Sequence, residues 1–434
     1  MDRLSCGRDY DSIVLVARLL RRHPDGRPGA VGAAVCLCAA AVVLAGCYAS
    51  PVGTQAGSGP SAPVTASAQA ASGTWRAENS GTGQRLYDVA CLSARRCEAV
   101  GAAGTIVSTV NGGRTWQVQA NPLRGSSQAL YAIACVARGS CYVIARPDTI
   151  LVTHDGGATW SRHVLPVGVP ATSLTDQACL PGYTPIAGRP ALCRLGLVDI
   201  ACVSARVCYA VATAPQAYDV TPVPKTPRAA PSSIWMTRDG GASWTRQSIP
   251  PGVACDGDCA SGLYGYPLEW VTCLSTGLCR AGGGHVLDCG HCGFAYAVLV
   301  TRGPGQPWAC AQSAATCTTL SPDAGDCPAS TRCYGVQNTS PFTPGNFVVR
   351  SADGGASWVQ TGPDRTSSVL NDIACPTALT CYLAGSRGTI ARITNGTAVA
   401  AQRTPAARDL YGIGCFGPGT CYAAGDNGTI LALG

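Results

Sequence analysis

The sequence predicts an all-β protein: a seven-bladed β-propeller of four-stranded antiparallel blades, its last blade closed by the N-terminal strand. Three observations carry this. A unit that first reads Leu86-Tyr-Asp-Val-Ala-Cys91 recurs seven times, and each copy holds two cysteines separated by five residues. The last copy stops at Gly434, just after its third strand. Residues Thr74-Trp75-Arg76-Ala77-Glu78 read as the fourth strand that this copy lacks.

The N-terminus comes first in the chain. Residues 1–28 carry Arg18, Arg21, Arg22 and Arg27, and small apolar residues follow from Ala30 to Ala45. This run is short for a membrane span. It ends in Leu44-Ala45-Gly46-Cys47, which resembles the bacterial lipobox. That resemblance implies cleavage before Cys47 and lipidation of its thiol; a plain signal peptide and a retained helix are the alternatives. The expected organisation is a signal peptide over 1–46, a flexible Ala/Ser/Gly/Pro tether over 47–72 and a propeller over 73–434. The expected location is the extracytoplasmic face of the cell membrane, with the lipid as the contact to the bilayer.

Composition agrees with export. The chain has 26 cysteines in 434 residues, which argues for an oxidising compartment. Gly (53) and Pro (30) punctuate short apolar runs, as many tight turns require, and only 13% of residues are charged, too few for long solvated helices. The net charge of +7 is spread rather than clustered, so no nucleic-acid partner is expected. Lys225 is the single lysine.

In the first unit the strands are expected at 86–91, 97–101, 104–110 and 115–119. The cysteine pair recurs at Cys91/Cys97, Cys135/Cys141, Cys202/Cys208, Cys273/Cys279, Cys327/Cys333, Cys375/Cys381 and Cys415/Cys421. Strand one ends at the first cysteine and strand two opens at the second, so a hairpin brings the thiols within disulfide reach. Each such bridge is worth roughly 2.4 kcal/mol of chain entropy. Zinc is the competing use of paired cysteines, but no His or further Cys stands at ligand spacing, and no metal or cofactor is expected.

A second motif follows the pair. It reads Asn111-Gly-Gly-Arg-Thr-Trp116, Asp155-Gly-Gly-Ala-Thr-Trp160, Asp239-Gly-Gly-Ala-Ser-Trp244 and Asp353-Gly-Gly-Ala-Ser-Trp358, with degraded copies near 303–308 and 395–399. These segments resemble the Asp box, or BNR repeat, of sialidase-like propellers. The resemblance implies that the Asp or Asn is structural, between strands three and four, and that the Trp packs between neighbouring sheets. Within that superfamily the repeat is similar to the photosystem II assembly factor group and to repeat proteins of actinobacterial surfaces. The cysteine pairs depart from the photosynthetic group.

Departures from the repeat point to function. Segments 166–197, 214–233, 251–269, 283–296 and 337–346 are long, and all belong to loops 2–3 or to links from strand four to the next blade. They fall on one face of the disc, opposite the cysteine hairpins and Asp boxes. Candidate ligand-binding residues on that face are Tyr183, Arg189, Tyr218, Tyr264, Tyr266 and Tyr296, since Tyr stacks on sugars or side chains and Arg clamps anions. Cys179, Cys193, Cys255, Cys259, Cys289, Cys292, Cys310 and Cys317 lie there too, with their pairing open. Cys289-Gly-His-Cys292 matches the thiol-oxidoreductase CxxC, yet sits in a Gly-rich loop rather than at a helix N-terminus.

Two functions follow. The first is a non-catalytic binding or assembly scaffold with a protein or glycan ligand. The second is a glycoside hydrolase of sialidase-like or xyloglucanase-like architecture. The arginine triad and Tyr–Glu pair of sialidases are not recognisable. Asp176, Asp256, Asp258 and Glu269 are carboxylates on the correct face for a hydrolytic pair.

Overall fold

Apolar runs of five to eight residues between glycine turns pair into antiparallel sheets. The computed structural model describes residues 73–136, 139–167, 196–213, 232–250, 253–254, 263–264, 268–286, 294–311, 321–337, 346–366 and 368–434. Seven four-stranded sheets are present, together with a two-stranded ribbon pairing Val253–Ala254 with Leu263–Tyr264. Blade 1 is built from Leu86–Cys91, Cys97–Gly101, Thr105–Thr109 and Gln117–Val118. The innermost strands of blades 2 to 7 are Leu130–Val136, Gly196–Cys202, Trp270–Cys273, Ala324–Asp326, Leu370–Thr377 and Leu410–Cys415. Each packs against the next, and blade 7 packs back on blade 1, so the ring is closed.

Closure uses the N-terminal strand. Trp75–Asn79 pairs antiparallel with Thr429–Leu433, in the register Trp75↔Leu433 to Asn79↔Thr429, and supplies the outer strand of blade 7. The first and last strands of the propeller therefore share one sheet.

All seven hairpin cysteine pairs are disulfides: Cys91–Cys97, Cys135–Cys141, Cys202–Cys208, Cys273–Cys279, Cys327–Cys333, Cys375–Cys381 and Cys415–Cys421, with Cα–Cα separations of 4.0–4.2 Å. In two blades the strands depart from the expected frame. The inner strand of blade 5 ends at Asp326, one residue before Cys327, and the register of blade 6 breaks between Ala374 and Thr377, so Cys375 and Cys381 are bonded without being register partners. The second cysteine of each pair lies deeper than its hairpin loop and has no exposed surface: Cys97, Cys141, Cys208, Cys279, Cys333, Cys381 and Cys421 each belong to a different core cluster. The reason is that this residue opens strand two, whose side chains face the neighbouring blades. These seven are core residues as well as cross-links, and none offers a sulfur to solvent. Cys310 is disulfide-bonded as well.

The core lies between blades. The residue after the second hairpin cysteine is Tyr in five blades: Tyr142, Tyr209, Tyr334, Tyr382 and Tyr422. Its ring meets a Trp edge-on in the pairs Tyr142–Trp244, Tyr209–Trp308, Tyr382–Trp75 and Tyr422–Trp116. Such edge-to-face pairs add to plain area burial. Two blades depart from the pattern. Arg280 of blade 4 fills the slot with its guanidinium, donating to the carbonyls of Gly354 (2.7 Å) and Ser330. Glu98 of blade 1 fills it with a carboxyl group.

The Asp boxes are turn locks. In the second, Asp155 Oδ1 accepts the Thr159 N–H (2.9 Å) and the Thr153 hydroxyl (2.8 Å), and Oδ2 accepts the Thr159 hydroxyl (2.6 Å). Thr153 Oγ1 in turn accepts the Gly157 N–H at 2.9 Å. Gly156 and Gly157 have φ of +73° and +87°, which glycine adopts without the steric cost of a Cβ. Asp239 and Asp353 repeat the pattern, and Asn111 does so with its amide. Hydrogen bonds from Thr159 and Thr153 hold Asp155 down at about 2, and those from Ser243 and Thr237 do the same for Asp239. Carboxylates engaged by their own turns are poor acid–base groups.

Candidate functional site at the mouth of the central channel

The inner strands start on the face where strand four arrives from the preceding blade and where loop 2–3 departs. A β-bulge follows the first residue of five of them or the one after it, between Leu86 and Asp88, Leu130 and Ala132, Leu197 and Asp199, Leu370 and Asp372, and Leu410 and Gly412. A bulge opposes two residues to one and bends the strand. The extra residue in each, Tyr87, Tyr131, Val198, Asn371 or Tyr411, lines a cavity of about 150 Å³ on the channel axis.

One side of the cavity is aromatic. Tyr87 lies 4.8 Å from Tyr131 and 5.7 Å from Tyr411, centroid to centroid, giving a three-ring arc across blades 7, 1 and 2. The arc is capped by cations: Arg85 sits 5.3 Å above Tyr411 and Arg146 4.1 Å above Tyr131. Arg85 also binds Asp426 Oδ1 at 2.5 Å, and the Tyr411 hydroxyl donates to Asp426 Oδ2 at 3.2 Å. Burial pushes the Tyr411 phenol up, so it stays a hydrogen-bond donor.

The other side is acidic. Asp199, Glu269, Asp323 and Asp372 line it, and Asp88 joins from beside Tyr87. Three of these aspartates also tie blades together. Asp88 Oδ1 accepts its neighbour Val89 N–H (2.7 Å), while Oδ2 accepts Ile133 N–H of blade 2 (2.8 Å). Asp199 bridges Ile200 and Val271 of blade 4 in the same way, and Asp372 bridges Ile373 and Ile413 of blade 7. Asp326 performs a variant, accepting Cys375 N–H of blade 6 and the Thr272 hydroxyl of blade 4. Burial first, then the charge of Asp372, pushes Asp88 well up. Burial pushes Asp372 up to about 6 against the pull of two N–H donors.

A second buried acid lies between blades 1 and 2. Glu98 has no exposed surface, and neither carboxyl oxygen has a hydrogen-bond partner among the described residues. Burial pushes it up to about 7, opposed by the Arg96 charge. It adjoins Cys135 and Cys141, but these sulfurs are bonded to each other and offer no thiolate to a metal.

Of the sequence-derived ligand candidates, Tyr183, Arg189, Tyr218 and Tyr266 lie outside the described residues, as do Asp176, Asp256 and Asp258. Tyr264 lies on the Leu263–Tyr264 strand of the ribbon and Tyr296 on Phe294–Thr301 of blade 4. Glu269 lines the cavity. The hairpin cysteines, Cys208, Cys279, Cys333 and Cys381 among them, do not line it; their place is the core between blades. Sequence reasoning missed Tyr87, Tyr131 and Tyr411, which sit inside the repeat at the residue after its leading leucine. The signal was present: only the units of blades 7, 1 and 2, consecutive around the closed ring, read Leu-Tyr there.

With this geometry established, comparison with known proteins gives three kinds of result. Residues 67–180 match the family model of the photosynthesis system II assembly factor YCF48. No curated protein matches the sequence. Among solved structures, YCF48 bound to a D1 peptide superposes with a TM-score of 0.54 at 17% identity, over 85% of this chain and 99% of that one. YCF48 from Cyanidioschyzon merolae gives 0.53 at 16%, over 83% and 98%. The GH74 xyloglucanase from Xanthomonas campestris gives 0.50 at 13%, over 82% of this chain and 53% of the enzyme. At these identities the likeness is one of fold.

Proposed function

We propose that the protein is a non-catalytic binding or assembly propeller, held at the extracytoplasmic face of the membrane by a lipid on Cys47, and that it takes a protein segment at the channel mouth. The observation that carries this reading is the cavity at that mouth, with its Tyr411–Tyr87–Tyr131 arc facing an acidic wall. Aromatic faces beside fixed charges are common at recognition surfaces. Asp88, Asp199 and Asp372 of the cavity are engaged by backbone N–H groups, an arrangement that suits a scaffold better than proton transfer. A propeller of similar fold is known bound to a peptide, which supports a peptide as the ligand class here. The enlarged segments 166–197, 214–233, 251–269 and 283–296 leave and rejoin the blades on the face of the cavity. They, with Tyr183, Arg189, Tyr218, Tyr264, Tyr266 and Tyr296, are proposed to frame the ligand.

The test is hydrogen exchange of the purified full chain against a peptide library and a glycan panel. Protection of the inner-strand starts by peptides is the expected result. Protection confined to the Asp-box face, or measurable hydrolysis of xyloglucan or sialosides, would overturn the reading.

A further inference from the structure

Resting on the membrane location proposed above, we infer that the Asp-box face is a docking surface for an anionic lipid bilayer, with Phe416 as its penetrating side chain, and that the channel mouth is thereby held facing away from the membrane.

The chain enters the ring on that face. The third strand of a blade ends at its Asp box or the equivalent turn, as Thr105–Thr109 does before Asn111. Thr429–Leu433 is the third strand of blade 7, so Leu433 and Gly434 lie on the same face. Thr74 donates its N–H to the Gly434 carbonyl at 3.1 Å, and Trp75–Asn79 starts beside it. The backbone that precedes Gly73 therefore joins the ring from the Asp-box face. A lipid on Cys47, with residues 48–72 between, draws that face to the bilayer. The mouth, where the first strands start, is on the opposite face.

The face carries matching charge. Arg95 and Arg114 of blade 1, Arg206 and Arg238 of blade 3, Arg302 of blade 4 and Arg332 of blade 5 are exposed on its 1–2 and 3–4 loops. None of them forms an ion pair among the described residues. The exposed acids of these loops are Asp155, Asp239 and Asp353, and the oxygens of each are engaged by its own turn. Of the 1–2 and 3–4 loops only Ala137 and Arg138 lie outside the described residues, and they add a cation rather than an acid. Each arginine brought close to an anionic bilayer strengthens association roughly fivefold.

The exposed apolar side chains gather around the entry point. Leu379 of blade 6, Phe416 of blade 7 and Val110 of blade 1 are 44%, 47% and 65% exposed on this face. These blades are consecutive, with the entry strand in the middle one. Phe416 departs from its repeat. The same place, after the first hairpin cysteine, holds Leu92, Val136, Val203, Leu274, Pro328 and Pro376 in the other blades, and each of these is half-buried. The loop that presents Phe416 is fixed at its base by the Cys415–Cys421 disulfide and by the Phe416 N–H donating to the Thr420 carbonyl at 2.8 Å. Its tip stands clear: among the described residues, nothing lies within 4 Å of the position a Cβ would take at Gly417 or Gly419. A fixed loop presenting an aromatic side chain beside cations suits a bilayer interface, where apolar burial and attraction to anionic headgroups add.

The experiment places the full chain, as isolated from membranes, in nanodiscs of phosphatidylcholine alone or of an equal mixture with phosphatidylglycerol, and reads side-chain accessibility by hydroxyl-radical footprinting. Oxidation of Phe416 and Leu379 is expected to fall about fivefold or more in the anionic discs relative to the neutral ones. Tyr87 and Tyr411 at the mouth are expected to be unchanged. The triple variant Arg95→Ala, Arg114→Ala, Arg206→Ala removes exposed guanidinium groups, and the other three Asp boxes carry Ala at the place of Arg114. It is expected to return Phe416 to its neutral-disc rate at an unchanged Tm. Equal oxidation of Phe416 in both discs would overturn the inference, as would an unaffected triple variant or protection of Tyr87 and Tyr411 instead. Protection of Phe416 that rises with protein concentration whatever the lipid charge would place a second copy on this face and overturn it too. If the chain co-purifies with neutral and anionic discs alike while Phe416 stays exposed, the inference falls and the membrane anchor stands. If it associates with neither disc, both fall.

Discussion

Glu98 shows how one side chain can work against the repeat that surrounds it. Its slot holds Tyr in five blades, where a phenol both fills the space and reaches the next blade, as Tyr142 does with the Ala205 carbonyl at 2.7 Å and Tyr334 with that of Ala378 at 2.9 Å. In blade 1 it is Arg96, two residues earlier, that reaches across, donating to the Gly156 carbonyl at 2.5 Å. Glu98 itself is left buried without a hydrogen-bond partner among the described residues. Its folded value near 7 stands above the ordinary 4.5, so between these values the folded state holds a proton that the unfolded chain has lost. The destabilisation is absent below about pH 4.5, grows between 4.5 and 7, and is complete above 7, at about 3 kcal/mol. Glu98→Gln should therefore raise stability at pH 8 by up to that amount and change little at pH 4.5. Urea denaturation of both proteins at the two values measures it; a difference independent of pH would show that Glu98 ionises normally in the fold. The Asp boxes have the opposite sign. Asp155 and Asp239, held at about 2, favour the fold above the ordinary carboxylate range and cease to do so as pH falls toward 2.

Among the elements, the strand Trp75–Asn79 has the largest consequence for its length. Its five residues pair throughout with Thr429–Leu433, and Trp75 is 5% exposed, edge-on to Tyr382 of blade 6. Removing residues 73–80 exposes the edge of Thr429–Leu433, strips the indole from the interface of blades 6 and 7, and takes the outer strand from the sheet that completes the ring. A loss of several kcal/mol is expected, with Trp75→Ala alone costing about 3–5 kcal/mol. Thermal unfolding checks both; an unchanged Tm on deletion would mean the strand adds nothing to blade 7. This element was legible because the residues resemble the Thr-Trp strand that follows each Asp box, and because the final unit lacked one. The expected strands of blade 1 at 104–110 and 115–119 are shorter in the structure, at Thr105–Thr109 and Gln117–Val118. Their ends are taken by turns: residues 102–104 make a 3-10 turn with Ala103 at φ +53°, and the Asp box consumes 111–116.

For the molecule as a whole, circular order turns local repeats into a site. The Asp88, Asp199 and Asp372 ties join blades 1 to 2, 3 to 4 and 6 to 7, and Arg85 reaches Asp426 across 341 residues of sequence to join blade 1 to blade 7. A closed ring fixes the channel mouth rigidly, as preorganised binding requires. The proposed anchor governs where this ring works. Replacement of Cys47 by Ala should leave unprocessed precursor and shift the protein's mass by the missing lipid. Intact-mass measurement and membrane fractionation check this, and cleavage at the same site in the Cys47→Ala protein would remove the lipobox reading.

Blade number, hairpin pairing and ring closure were determined by the sequence alone because each shows as a short, recurring pattern. Cys91 and Cys97 stand six positions apart, as do Cys202 and Cys208, and Asp239 captures a hydroxyl four residues on, so spacing along the chain is spacing in space. That Cys208, Cys279, Cys333 and Cys381 are wholly buried was not legible in this way, because their burial comes from the neighbouring blade rather than from their own hairpin. The cavity is of the same kind. Tyr87 and Tyr411 meet at 5.7 Å although nearly the whole propeller lies between them in sequence, and a bulge in each inner strand brings the residue to the axis. Strict alternation gives no sign of that bulge, because one inserted residue reverses which face a side chain takes. Only the tertiary structure decided that a tyrosine arc and an acidic wall share one cavity, since that depends on seven strands converging on a single axis.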